Sequence, residues 1–300
     1  MTTSEKFNLI IQLSIPSILA QITTVLMFYI DAGMVGSLGA EPAAAIGLVE
    51  PATWLFFSLI GAVTMGFSVQ AAHFIGAKDF SKARSVMRHG YAFGLCFALC
   101  FLLVTVLIAP YLPIWLRGGK DIQHDASTYF LIFSFIIPFH LLEVMSASML
   151  KVSGDMRRPS LMAILMCVLD VIFNYFFIFP THDITLLGLH VTMPGWGAGV
   201  AGAAFGSLLA FIAVALPLAY YAIFRSPILA WKLDVERFVW RWQYIWNAMK
   251  IGSPMALQYL LMNGAQLVST MIVAPLGNVS IAAHSFAITA ESLCYMPGYG

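Results

Sequence analysis

The sequence predicts an all-α integral membrane protein with about eight transmembrane helices. The first observation is composition, because 60% of the 300 residues are hydrophobic and only 10% are charged, against about 45–50% and about 25% in soluble chains. The second is the spacing of the basic residues, since a lysine or arginine is costly inside a bilayer and marks chain outside it. The formal net charge of +1 also excludes a nucleic-acid-binding protein that works by neutralising phosphates.

Five long stretches of the chain contain no lysine or arginine. They lie between Lys6 and Lys78, Arg88 and Arg117, Lys120 and Lys151, Arg158 and Arg225, and after Lys250. A transmembrane helix needs about 20 residues, so these stretches accommodate two, one, one, two and two helices. With proline, glycine and polar clusters as boundaries, the predicted helices are 9–35, 44–74, 90–114, 127–150, 160–180, 198–224, 249–276 and 281–300.

The basic residues also predict the orientation of the chain. If the N-terminus is cytoplasmic, all of the 15 bases except Arg117 and Lys120 fall on the cytoplasmic side. Membrane proteins keep their positively charged loops on that side. The first apolar stretch lacks the pattern of a cleavable signal and is interpreted as a span. We therefore expect a multi-pass protein of the plasma (inner) membrane with a cytoplasmic N-terminus.

The chain is predicted to contain two bundles joined by a polar linker. Residues 225–248 interleave bases with Trp231, Trp240, Trp242 and Trp246, a pattern typical of an amphipathic helix on the cytoplasmic surface. A weak internal repeat supports the division, since the first and seventh spans share a proline and a leucine-glycine turn in one ungapped register. An even number of helices separates the copies, which makes them parallel repeats. We expect a first six-helix lobe at 1–224, a cytoplasmic linker at 225–248 and the first two helices of a second lobe at 249–300, in a chain that is a fragment of a longer protein.

Five segments in order along the chain resemble the multidrug and toxic compound extrusion (MATE) family. They are Ile15–Pro16 with Tyr29–Gly39, Gly154–Pro159, Asp170–Tyr175, Gly197–Ala204, and Ala274–Gly277 with Ala282–His284. The resemblance implies a two-lobed exporter of twelve helices, of which about eight are present here. It further implies exchange of H⁺ or Na⁺ for organic cations or other toxic compounds.

Acidic residues within the predicted spans are the candidate site. No base lies within any span, so each acid must be protonated, face a wet cavity or hold a cation. An interior that contains only acids favours cationic ligands and repels anions. The acids within spans are Asp31, Glu50, Glu143, Asp170 and Glu291.

Four residues are predicted to couple transport to a cation. The resemblance places Asp31 at the family's functional aspartate of the first helix; the alternative is an acid at a helix end near the headgroups. Asp170 and Asn174 share one helix face at a spacing of four residues, and Ser207 of the sixth helix adds a hydroxyl. Asp31, Asp170 and Asn174 together offer hard oxygen ligands for Na⁺, although Asp170 and Asn174 could instead be a satisfied polar pair between helices. Some family members exchange the acid and the amide at these two positions, which leaves Na⁺ and H⁺ open.

Other polar residues are candidates for the cleft or for a proton relay. His140 and Glu143 lie one turn apart, where a carboxylate beside an imidazole can relay protons; the alternative is an internally satisfied pair. Met262 stands where several relatives carry a glutamate, which shifts coupling toward the first lobe. The full set is Tyr29, Glu50, His140, Glu143, Gln258, Asn263, Gln266 and Glu291.

The sequence favours a carrier over an enzyme. There is no phosphate-binding loop for ATP, no metal-ligand spacing among the histidines and no pairing of nucleophile and base, so no cofactor is expected beyond the coupling ion. The expected partners are small organic molecules and the lipid bilayer, with no nucleic acid, and the protein is predicted to be monomeric. The alternative function is a flippase for lipid-linked oligosaccharides or polysaccharides, which should show bases facing the cleft.

Overall fold

The structure is a computed structural model that describes residues 3–186, 189–233 and 239–295. The described chain is almost wholly helical, with one β-hairpin, which confirms the predicted all-α membrane class. The helices are α1 (Thr3–Gly36), α2 (Ala40–Gly76), α3 (Phe80–Ile108), α4 (Leu112–Trp115), α5 (Gln123–Ser134), α6 (Ile136–Val152), α7 (Arg157–Ile178), α8 (Gly199–Tyr220), α9 (Trp242–Val273) and α10 (Asn278–Tyr295).

The helices overlap the predicted spans, although α3 begins ten residues before the predicted start at 90 and α9 begins seven residues before the predicted start at 249. Within the described residues, five helices are long and apolar enough to cross a membrane: α2, α3, α7, α8 with its continuation, and α9. The pair α5 and α6 forms a sixth span if the two are counted together across a bend of 43°. The break in the predicted helix 127–150 has a local cause, because Pro138 cannot donate to Ser134 and its ring crowds that carbonyl. Helices α1 and α10 occupy the remaining predicted positions.

A β-hairpin connects α7 to α8 where the sequence suggested only a loop. Strands β1 (Pro180–Leu186) and β2 (Leu189–Trp196) pair antiparallel, with a register shift between Pro180 and His182. Two backbone bonds then return the chain to α7: Gly197 N donates to Phe179 O and Ala198 N to Phe177 O, both at 2.9 Å. Gly197 has a φ of 69°, which a glycine adopts without strain. The hairpin therefore starts α8 beside the end of α7.

Most of the described basic residues gather at one end of the bundle, here called the basic end. The guanidinium of Arg84 donates to Ile228 O at 3.0 Å and that of Arg88 to Trp231 O at 2.8 Å. Arg158 lies 4.2 Å above the ring of Tyr221. Asp79 caps α3 by accepting from Lys82 N, and its hydrogen bonds and ion pair with Lys82 lower the pKa of Asp79. The short connections at this end are thus fixed by charge-assisted contacts.

The polar segment 225–248 does not form one continuous amphipathic helix. A π-helical turn at Tyr221–Arg225 extends α8, a single 3-10 turn occupies Trp231–Leu233, and α9 begins only at Trp242. Ser226 is extended, with ψ at 134°, because the proline that follows it disfavours helix at this position. Residues 234–238 of the predicted linker lie outside the described residues. The division of the chain into two lobes stays a prediction.

Small residues allow the closest helix contacts. Helix α2 packs along α9, where Gly66 faces Ala248 and Gly252 faces Ala62. A methyl group at Gly66 would overlap the carbonyl oxygen of Ala248. Association of helices in lipid depends on such close backbone approach, because apolar side chains gain nothing by leaving lipid for each other.

We expect Gly66→Ala to destabilise the complete protein and Gly61→Ala to leave it as stable or slightly more stable. Both glycines lie in α2, but an added methyl at Gly61 meets no atom within 4 Å. The overlap at Gly66 should cost about 1–3 kcal/mol, whereas alanine at Gly61 gains up to about 1 kcal/mol in helix propensity. Thermal unfolding of both variants in the same detergent measures the difference, and equal midpoints would contradict the close α2–α9 contact.

Candidate functional site

A cavity of about 330 Å³ lies between the helices of the bundle. Helices α1, α2, α5, α6, α7, α8 and α10 all contribute lining residues. The lining extends to the basic end, where it includes Lys151 and Pro159 on either side of the connection between α6 and α7. Lys151 is exposed. Toward the other end the lining residues Val35, Ala43 and Ala282 are buried. The cavity lining therefore reaches an exposed residue, Lys151, at the basic end of the bundle.

Asp31, Asp170 and Asn174 meet at the side of this cavity. Helix α1 packs against α7 and brings Asp31 to the α7 face that carries the other two residues. Asn174 Nδ2 donates to Asp31 Oδ1 at 3.0 Å and to Asp170 Oδ2 at 3.1 Å. Asp170 and Asn174 are almost fully buried, with 2% and 1% of their surface exposed. One amide group thus connects two carboxyl groups from different helices.

The two carboxyl groups also contact each other. The side chains of Asp31 and Asp170 lie within hydrogen-bonding reach of each other, and the hydroxyl of Ser207 of α8 lies beside Asp170. Two carboxylate oxygens can share a hydrogen bond only through a proton on one of them. An amide and a hydroxyl supply donors but no positive charge, so a buried pair of acids requires a proton or a small cation.

The orientation of Asn174 decides what the cluster can bind. Its Nδ2 faces the two acids, while its Oδ1 is buried without a hydrogen-bond partner in the described structure. Oδ1 lies against Gly206 of α8, where any larger residue would overlap it. As placed, Asn174 is a donor to the acids and not a ligand for Na⁺. Rotation of the amide by half a turn would present Oδ1 to a cation.

Glu50 joins α2 to α10 within the same cavity. It accepts from Ser285 Oγ at 2.9 Å and from Trp54 Nε1 at 3.4 Å. The helices approach closely there, since a methyl group at Gly47 would come 2.7 Å from Ser285 Cβ. Both carboxylate oxygens of Glu50 are therefore engaged by donors. Its position supports a role in the cleft, and such a role stays a prediction.

His140 and Glu143 line the cavity from α6. Their closest atoms, His140 Nδ1 and Glu143 Oε2, are 3.8 Å apart, which exceeds hydrogen-bonding distance. His140 instead stacks on Phe57, with ring centroids 4.1 Å apart and an interplanar angle of 18°. The two side chains lie within ion-pair distance but form no hydrogen bond with each other.

The other candidates from the sequence lie away from the cavity. Tyr29 is exposed on α1, Gln258 is exposed on α9, and neither Gln266 nor Glu291 belongs to the lining. Asn263 Nδ2 donates to Ser58 Oγ at 3.1 Å and to Tyr259 O at 3.0 Å, which ties α9 to α2. The structure thus gives Asn263 a packing contact and brings none of these side chains to the acids.

Lys151 corrects the expectation that the interior contains acids alone. The sequence placed Lys151 in a loop, but it lies near the end of α6 and lines the cavity. Lys151 follows Glu143 by eight residues, which is about two helical turns and places both on the same helix face. This spacing is the feature of the sequence that could have predicted Lys151 in the cavity. Aromatic lining residues such as Trp54, Tyr129 and Phe133 also escaped prediction, because nothing in an apolar helix distinguishes the cavity face from the lipid face.

The sequence pattern of the MatE family matches residues 16–176, more than half of the chain. The chain belongs to the MatE family. Its members are transporters, and the matched region contains Asp31, Asp170 and Asn174. Within the part of the chain that the structure describes, no three histidine, cysteine or acidic side chains cluster as a metal site.

Curated relatives include proteins described as probable multidrug resistance protein NorM. The one from Thermotoga maritima is 24% identical over 292 residues, and the one from Neisseria meningitidis serogroup A is 25% identical over 304 residues. Each alignment covers 97% of this chain but only 60% and 61% of the respective relative. This MatE chain thus spans about 60% of the length of the relatives that it matches.

Solved structures share the fold. One described as the outward-facing conformation of a multidrug resistance MATE family transporter matches with a TM-score of 0.81 and 22% identity, covering 96% of this chain and 60% of that one. A transporter of the MOP superfamily from Pyrococcus furiosus, whose reverse-polarity binding pocket is said to suggest a different function, matches at 0.80 with 23% identity, covering 96% and 60%. The shared fold therefore does not identify a transported compound.

We expect Asn174→Asp to destabilise the protein at pH 8 and much less at pH 5. The variant replaces the shared hydrogen-bond donor with a third buried carboxyl group. A buried charge left without a compensating partner typically lowers the free energy of unfolding by about 3–5 kcal/mol. Protonation at pH 5 removes the repulsion between the acids, so the loss of stability should shrink as the pH falls.

Asn278→Asp is the matched control, since Asn278 donates to Asp121 near the surface. There the same change should cost less than about 1 kcal/mol and depend little on pH. Thermal unfolding of both variants at the two pH values makes the comparison. An equal and pH-independent loss in the two would contradict a desolvated acid pair at Asp31 and Asp170.

Proposed function

We propose that this chain contributes the ion-coupling lobe of a secondary antiporter that exports organic cations or other toxic compounds in exchange for H⁺ or Na⁺. The observation that carries the proposal is the contact of Asp31 and Asp170 through Asn174 beside the cavity. Two acids that need a proton or small cation, placed where a solute can enter, are the elements of ion-coupled transport. The membership in the MatE family and the NorM relatives support the same function.

The orientation of the cavity fits export. We propose that the basic end faces the cytoplasm of a plasma (inner) membrane, because positively charged loops stay inside. The cavity lining reaches the exposed Lys151 at that end, and a substrate that enters there would load from the cytoplasm. Alternating access would then close this end and open the other. Small organic substrates and the bilayer are the partners, the protein acts as a monomer, and no other cofactor takes part.

The identity of the coupling ion depends on Asn174. With its amide nitrogen toward the acids, the cluster is arranged for one shared proton. With the amide reversed, Asn174 Oδ1, Ser207 and the two carboxyl groups offer the hard oxygen ligands that Na⁺ prefers. The arrangement in the structure favours H⁺, and Na⁺ requires the side chain to turn.

A flippase for lipid-linked saccharides is the second candidate, and Lys151 is the observation in its favour. A base in the cavity could pair with a pyrophosphate group, which the sequence alone did not predict. Against it stand Glu50 and Glu143, which line the same cavity and repel an anionic headgroup. A proteoliposome assay with a fluorescent lipid-linked saccharide would support this candidate if the lipid moves between leaflets and no organic cation is transported.

We expect Asp31→Asn in the complete protein to insert normally and to lose efflux. The amide cannot bind and release a proton, so inward movement of the ion no longer drives export. The measurement is accumulation of ethidium in cells that express equal amounts of each protein. Glu41→Gln is the control, because Glu41 is exposed in the first turn of α2 and outside the cavity lining. Continued lowering of ethidium by Asp31→Asn would overturn the coupling role.

Transport in vesicles separates the two ions. The complete protein should take up ethidium under an imposed pH gradient in Na⁺-free buffer, at a rate that rises with the gradient. If uptake instead requires a Na⁺ gradient at constant pH, Asn174 must reverse as described above. Failure of either gradient to drive uptake would contradict the antiport proposal.

A further inference from the structure

Glu143 differs from the other acids of the cavity in its hydrogen bonds. Asp31 and Asp170 receive donors from Asn174, and Glu50 receives them from Ser285 and Trp54. No hydrogen-bond donor reaches the Glu143 carboxylate in the described part of the chain, and its closest basic atom is His140 Nδ1 at 3.8 Å. A carboxylate that is 19% exposed and short of donors inside a membrane protein is available to a ligand.

An aromatic wall stands next to Glu143. His140 lies on α6 about one turn before Glu143, and its ring stacks on Phe57. Phe133 and Phe211 both pack against the Phe57 ring, and Phe211 also contacts His140. The buried Nδ1 of His140 has no hydrogen-bond partner within the described residues. Aromatic faces attract cations through their negative electrostatic potential, and the attraction grows where water is excluded. The wall and the acid together favour a flat aromatic cation.

Space is available in front of this acid. Ala147 lies one turn beyond Glu143 on α6 and also lines the cavity, and its small side chain leaves room beside the carboxylate. Lys151 lies one further turn toward the basic end, about 12 Å along the helix from Glu143 by a rise of about 1.5 Å per residue. The positive charge of Lys151 still acts on the Glu143 carboxylate and favours its ionised form, which is the form that a cation binds.

We propose that Glu143 is the counter-ion for the organic cation, in a subsite that is separate from the ion site at Asp31 and Asp170. This inference rests on the exporter function proposed above and adds where its substrate is held. The substrate class is a planar aromatic molecule with one positive charge. Because the two sites use different carboxyl groups, on α6 and on α1 with α7, substrate and coupling ion need not compete for the same carboxyl group.

Direct binding of ethidium to the complete protein in detergent tests this assignment. Ethidium fluorescence gives its dissociation constant for the unmutated protein, Glu143→Gln, Glu143→Asp and Asp31→Asn. We expect Glu143→Gln to weaken binding about tenfold, since it removes one charge-assisted contact, and Glu143→Asp to restore most of the affinity. Asp31→Asn should keep the affinity within about twofold while losing transport. Phenanthridine, a planar analogue that is neutral at pH 8, should bind the unmutated protein and Glu143→Gln equally.

The outcomes separate this inference from the exporter function. If the unmutated protein binds and exports ethidium but Glu143→Gln binds it equally well, Glu143 is not the counter-ion and the exporter function stands. If Asp31→Asn loses binding as severely as Glu143→Gln, substrate and ion share one site and the separation is wrong. If the unmutated protein neither binds nor exports ethidium, both proposals fall. A correctly folded Glu143→Asp that binds as weakly as Glu143→Gln also contradicts the role of the charge.

Discussion

The site depends on the contact between two acids on different helices. Asp31 and Asp170 face each other across the boundary between α1 and α7, and Asn174 is the donor that they share. In a region of low dielectric, two like charges at this separation repel strongly and neither has bulk water to solvate it. The Asn174 amide donates hydrogen bonds to the two carboxyl groups but does not neutralise their negative charge. The packing of α1 on α7 therefore creates a requirement for one proton or one small cation.

Close packing elsewhere gives this contact its geometry. Helix α8 approaches α7 through Gly202 and Gly206, where an added methyl group would overlap the backbone of Phe177 and the Asn174 side chain respectively. The hairpin between the two helices shortens the connection and starts α8 against the end of α7. Asn174 is therefore confined between α8 on one side and the acids on the other. The glycine contacts fix where the Asn174 side chain lies, while its hydrogen bonds to the two acids determine which amide atom faces them.

The sequence predicted which residues lie within the membrane-spanning helices better than it predicted which side of each helix faces the cavity. Bases and apolar runs place each span, and the fold follows because hydrocarbon tolerates few alternatives. Asp31 and Asp170 were identifiable because acids within spans are rare. Tyr29 was not separable from its neighbour Phe28, which does line the cavity, because adjacent residues differ by about 100° around a helix and both are aromatic. Lys151 was misplaced since a helix that ends near a loop can still turn its last base inward.

Helix α2 connects the two groups of acids in the cavity. Trp54 donates to Glu50 and packs edge-on against Phe57, with ring centroids 6.4 Å apart, and Phe57 stacks on His140 beside Glu143. Glu50 in turn contacts α10 through Ser285, and α2 also packs along α9. A shift of α2 would therefore change the aromatic wall and the contacts with α9 and α10 together. Coupling between ion and substrate needs an element whose position both sites bias. Helix α2 contacts the aromatic wall directly, and it contacts α1 of the ion site through Trp54, whose ring packs edge-on against Phe28 with centroids 5.1 Å apart.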